Sequence, residues 1–269
     1  MNGYHLIYCS SDEDPGKEEA LIGMLRDRQV DGLIISTTQQ KSTLFTGLKK
    51  EGFPFVLIDR QLPRLKTNYV GVENYEGAYK ATTQLIVNGF RNIALMKISP
   101  GFLSTVKERE RGYRDAMKNE GIRIDHHWIR EVGYHRLQQQ VNSVLDELLS
   151  DTHPIDSVFS VNNSITVACL EYCRERNIRI PGDLGLVSFD DIDLFRFSQP
   201  GITAIAQPLD DIGEEAVKIL LDEINEKTPG DPHRKVLPVR FIPRGSCGQY
   251  VNQPTDEKEP VLHGISDEY

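Results

Sequence analysis

Two acids close an apolar run in the last third of the chain. Residues 184–189 (LGLVSF) have the length and branching of a buried strand, and Asp190 and Asp191 follow directly. Ligands of open parallel α/β sheets bind just beyond the carboxyl ends of the strands. A carboxylate there can accept hydrogen bonds from a hydroxyl-rich molecule, and Asp190 is the first candidate. With Asp193, the same acids could instead hold Mg²⁺ for glycosyl or phosphoryl transfer. That chemistry needs a nucleotide motif, and the sequence has no GxxxxGK[ST] loop and no GxGxxG after a strand. Nor does it have a GxSxG elbow or an HExxH pair. The chain therefore reads as a binding protein rather than an enzyme, with no catalytic residue, metal ligand or cofactor. His126-His127 read as solvated turn residues. Cys169 and Cys173 share a helix face without further ligands at metal spacing, so they read as buried thiols.

Four more side chains could line a binding cleft. Arg109 carries five donors in a fixed fork, suited to vicinal hydroxyls or a carboxylate, with a surface ion pair to Glu108 or Glu110 as the alternative. Asn162 ends an apolar run over 157–161 and either touches a ligand or caps the helix that follows. Gln207 stands before Pro208 at a break between a short strand around 203–205 and an acid-rich helix start. Phe102, with Tyr134 and Phe195, offers an apolar wall or ordinary packing.

The elements that must hold these residues alternate. Strands are expected at 4–9, 30–36, 55–58, 69–72, 93–96, 128–132, 157–161 and 184–189. Helices are expected near 14–25, with Leu21, Met24 and Leu25 on one face, and at 44–50, 75–88, 108–120, 136–149, 165–176 and 208–225. Alternation at this spacing means right-handed βαβ units and parallel sheets. A 269-residue chain is long enough for two lobes, and 39% hydrophobic with 26% charged residues places it among ordinary globular proteins. The net charge of −9, with no long Lys/Arg block, argues against duplex DNA binding by this chain alone. No run is apolar enough to span a membrane and no secretory leader is legible, so a cytoplasmic location is expected.

Several segments in order carry a resemblance: VDGLIIS at 30–36, FVLIDR at 55–60, YVGVENYEGAYKATTQLIVNGFRNIAL at 69–95, RERGYRDAM at 109–117, and Asn162-Asn163. The strand ending in Phe-Asp-Asp, then Pro-Gly-Ile-Thr and Gln-Pro, and the closing LPVRFIPRGSC at 237–247 complete the set. Over about residues 3–247 the chain resembles the effector-binding core of LacI/GalR-type transcription regulators. The resemblance implies two Rossmann-like lobes with parallel sheets, of the type I periplasmic-binding-protein-like fold. The lobes are expected at 1–90 plus 208–232 and at 91–207 plus 233–248, with 249–269 a flexible tail. It also implies effector contacts from Arg109 and Asn162, while Asn163 and Glu73 stand where the family usually has Asp. A sugar or sugar phosphate is the implied effector, and a homodimer the implied assembly. DNA would be reached only through a helix-turn-helix head-piece that the family carries ahead of the core. That segment, and the core's first strand and helix, are not in this sequence. A solute-binding protein of a sugar transport system is the alternative.

Overall fold

The computed structural model describes residues 3–62, 64–225 and 231–248. Short apolar strands assemble into two sheets. The first holds β1 (Leu33–Ile35), β2 (Phe55–Ile58), β3 (Tyr69–Val72) and β9 (Arg234–Leu237), all parallel, in the order β1-β2-β3-β9. The second holds β4 (Ile93–Ile98), β5 (Ile129–Val132), β6 (Ser157–Ser160), β7 (Gly185–Phe189), β8 (Thr203–Ala206) and β10 (Arg240–Ile242). Its order is β10-β8-β7-β6-β4-β5, parallel except for the edge strand β10. β3, β6, β7 and β8 are buried along their whole length, as strands covered on both faces must be.

Helices close both lobes. α1 (Pro15–Asp27) begins where Asp14 accepts from the Lys17 amide at 2.8 Å with proline at the first helical position. With α2 (Thr43–Lys50), it packs Ile22, Leu25, Phe45 and Leu48 onto β1 and β2. Ile22 and Leu25 form the inward face of α1, whereas the expected Met24 is 38% exposed. α8 (Leu209–Asn225) sets Ala216 and Ile219 against Val56 and Val70. In the second lobe α3 (Asn74–Val87) packs on α4 (Ser104–Asn119), and α5 (Leu137–Ser150) on α6 (Asn163–Glu175). A short α7 (Asp193–Phe197), not expected from the sequence, fills the loop after β7.

Three expectations are corrected. Residues 4–9 form no strand, and Leu6 and Tyr8 are 92% and 87% exposed. The ladder of β1 runs only to β2, and a strand without a partner cannot satisfy its backbone groups. The first lobe also stops before residue 90. Ala78, Ala81 and Leu85 of α3 lie in the core of the second lobe. Finally, the boundary at 232/233 moves, because β9 pairs with β3 in the first sheet and only β10 joins the second. The chain therefore crosses between lobes at 72–74, 206–209 and 237–240. The expected tail at 249–269 lies outside the described residues. No helix among the described residues is long and apolar enough to cross a membrane.

Candidate functional site

The carboxyl end of β7 delivers Asp190 to the space between the lobes, in a left-handed conformation (φ 72°) that turns the chain away from the strand. Its side chain accepts a hydrogen bond from Gln207 Nε2 and stands 3.9 Å from Arg109 NH1. Arg109 comes from α4, and Gly112 decides how closely that helix approaches. A β-carbon at Gly112 would lie 2.4 Å from the Tyr75 carbonyl oxygen, so only glycine lets α4 press onto α3. Arg109, one turn earlier and 5% exposed, then reaches the start of α3, where its Nε donates to Asn74 Oδ1 at 2.8 Å. NH1 donates to the Val161 carbonyl at 2.6 Å, and the guanidinium lies 3.6 Å from the centroid of the Phe189 ring. The surface ion pair with Glu108 or Glu110 is not what Arg109 makes.

Asn162 is the N-cap of α6, its Oδ1 accepting from the Ile165 amide at 3.0 Å. Its Nδ2 reaches the Tyr134 hydroxyl at 3.5 Å. Tyr134 is 42% exposed, and burial of its hydroxyl pushes its pKa up, reinforced by Glu13. Phe102 stands apart from the Asp190 cluster, in a groove of about 210 Å³ shared with Arg60, Gln61, Ser104 and Lys107. Phe195 is fully buried and is core. The acids after β7 disperse: Asp191 forms a two-pronged pair with Arg244 at 2.7 and 2.8 Å, and Asp193 pairs with Arg196 on α7. Three carboxylates turned to three partners do not form an ion cage. Cys169 and Cys173 are buried; Cys173 is pushed up to about 11 by burial, as expected of core thiols.

The first lobe supplies residues that the sequence reading did not assign. Asp59, also in a left-handed conformation (φ 60°), ends β2 much as Asp190 ends β7. Burial pushes its carboxyl up, opposed by Arg109 and Arg60 and reinforced by Asp190. Arg60 is clamped by both oxygens of Glu13 at 2.6 and 2.9 Å, while its buried Nε has no hydrogen-bond partner among the described residues. Gln61 spans the lobes, its amide donating to Ser104 Oγ at 2.9 Å and its side chain lying 3.5 Å from Glu108. The strand-end argument that found Asp190 would have found Asp59 in FVLIDR had it been applied to the first lobe.

A periplasmic binding protein-like domain matches residues 82–247. Over 229 residues the chain is 29% identical to a probable HTH-type transcriptional regulator, EndR of Paenibacillus polymyxa, covering 84% of this chain and 66% of that protein. It thus spans about two thirds of the length of the curated relatives it matches first. Among solved structures, a ribose operon repressor proposed for Burkholderia thailandensis superposes with a TM-score of 0.78 at 28% identity, covering 89% of this chain and 87% of that one. A LacI family regulator from Enterococcus faecium with bound ribose superposes with a TM-score of 0.74 at 28% identity, covering 85% and 84%.

Proposed function

We propose that this chain, which belongs to the periplasmic-binding-protein-like family carried by LacI-type regulators, is an effector-sensing core that holds a sugar-like molecule between its lobes. One observation carries the reading. Both cleft residues found from the sequence are bonded to segments where the chain crosses between lobes: Arg109 to Asn74 at the first crossing, and Asp190 to Gln207 at the second. A ligand that accepts from Arg109 and donates to Asp190 competes with or adds to these bonds. Its binding energy then differs between lobe arrangements, which is the condition for shifting their populations. Asn162 and Tyr134 supply a further polar edge and a ring face, and Phe102 belongs to the adjoining groove.

In this reading no bond is made or broken, and the output is the relative position of the lobes. The similarity to regulators, and to one with bound ribose, supports this over a transport solute-binding protein. In this reading DNA contact belongs to a head-piece of a longer, cytoplasmic regulator, consistent with the net charge of −9 of this chain. The resemblance to the regulators, with Leu209 and Val217 of α8 exposed on the first lobe, supports a two-fold dimer. Calorimetric titration of the chain with a panel of pentoses and hexoses tests the reading. Saturable binding of at least one sugar, weakened in Asp190→Ala, is expected; a panel without any binder would overturn it.

A further inference from the structure

We infer that the cleft selects an uncharged polyhydroxyl ligand and rejects its phosphorylated or acidic counterparts, an inference that rests on the sugar-effector reading above. The recess brings four carboxylates, Glu13, Asp59, Glu108 and Asp190, around two guanidiniums, Arg60 and Arg109. Both cations are already compensated. Arg60 gives NH1 and NH2 to the two oxygens of Glu13, and its Nε lies 3.5 Å from Asp59 Oδ2. Arg109 faces Asp190 at 3.9 Å and spends Nε and NH1 on Asn74 and the Val161 carbonyl. Among the described residues, an incoming phosphate or carboxylate would find no uncompensated buried guanidinium. It would have to displace Glu13 from Arg60 or Asp190 from Arg109, stranding a carboxylate in a partly dry site. The recess already resists the negative charge it holds: burial pushes the carboxyls of both Asp59 and Glu108 up. The other cations near the recess, Lys107, Arg111 and Arg234, are all exposed, where water and salt screen them.

A neutral sugar meets none of these costs. Its hydroxyls donate to Asp190 and Asp59, and carboxylates that accept from hydroxyls keep their charge without a new cation. The exposed part of Tyr134 is suited to a ring's apolar face.

The test is calorimetric titration of the full chain near neutral pH with matched pairs: D-ribose and ribose 5-phosphate, D-glucose and glucose 6-phosphate, cellobiose and cellobionate. At least one neutral sugar is expected to bind, with its charged counterpart weaker by about tenfold or more, the scale of a single uncompensated like-charge contact in a recess. Asp59→Asn, which removes one negative charge with little change of shape, is expected to narrow that ratio severalfold; Asp190→Asn is the second variant should the first not fold. A charged sugar binding as tightly as its neutral parent overturns the inference while leaving the sugar reading intact. No binding by any member of the panel overturns the sugar reading, and the inference with it. A ratio unchanged in the folded variant overturns charge as the cause of selection.

Discussion

Replacing Asp190 with alanine removes the carboxylate that joins the cleft to the second crossing. In the unliganded chain the loss is modest. The Gln207 amide loses its acceptor but remains partly open to water, and the Arg109 contact at 3.9 Å is too long for a direct hydrogen bond. About 1 kcal/mol of stability is expected to go. With a sugar bound, the loss is larger, because hydroxyls that donated to a charged acceptor are left facing an apolar methyl group. Hydrogen bonds to charged groups are worth ~1.5–3 kcal/mol, which converts to a roughly 10- to 150-fold weaker Kd. Asp191→Ala is the matched control. It breaks the two-pronged pair with Arg244, whose side chain is 17% exposed, so about 1–3 kcal/mol of stability is expected to be lost. Because that pair ties the loop after β7 to the segment at 244 and not to the cleft, sugar affinity is expected to hold. Calorimetry for affinity and thermal unfolding for stability separate the two effects. Equal losses of affinity in both variants, or none in Asp190→Ala, would refute the placement of the site at the end of β7.

Other substitutions probe what sets the site up. Gly112→Ala is expected to force α4 off α3, destabilising the chain by about 1–3 kcal/mol and weakening sugar binding although residue 112 has no polar group to offer; unchanged melting would sink the close-packing argument. Asn162→Ala removes the cap of α6 at a cost of about 1 kcal/mol, while Asn162→Asp, which still caps, is expected to restore stability; denaturant titration of both variants checks this. The Asp59 carboxyl, pushed up by burial, contributes instability once pH exceeds its unfolded value. Asp59→Asn is therefore expected to stabilise the unliganded chain near neutral pH, with the gain shrinking as pH falls and the native aspartate takes up its proton. A gain that grows towards acid pH would show the sign to be wrong.

The second lobe was largely legible, since its strands are apolar runs bounded by turns and its helices carry clear stripes. The proposed contacts Asp190 and Arg109 were legible as candidates because one ends a strand and the other, with its fork of donors, stands where the resembled family places an effector-binding arginine. What stayed hidden was which sheet each element joins. The stripe of Ala78, Ala81 and Leu85 shows that α3 buries a face, but not that the face belongs to the second lobe. Two close approaches settle the matter in three dimensions: Gly77 of α3, where a β-carbon would lie 2.9 Å from the Ile205 and Phe189 side chains of the second sheet, and Gly112, which admits α4. Likewise, residues 234–242 are one extended stretch in the sequence, and Pro238 between β9 and β10 is the sole local sign that the chain changes sheets. Residues 4–9 show the limit of local pattern from the other side. An apolar run becomes a strand only with a ladder partner, and residues 4–9 pair with no described strand although one edge of β1 is open. Asp59, Arg60 and Glu13 carry no second-lobe signal, and only the folded chain brings them near Asp190 and Arg109.

The central claim is that a small ligand between the lobes changes how they sit. With Cys9→Ser, and exposed Glu51 and Glu120 changed to cysteine for a fluorophore pair, one label reports on each lobe. Energy transfer between them is measured as the best-binding sugar is titrated. The expected result is a saturable change in transfer with the same midpoint as the calorimetric Kd, shifted to higher concentration by Asp190→Ala. Sugar binding confirmed by calorimetry, with transfer unchanged at saturation, would contradict the account.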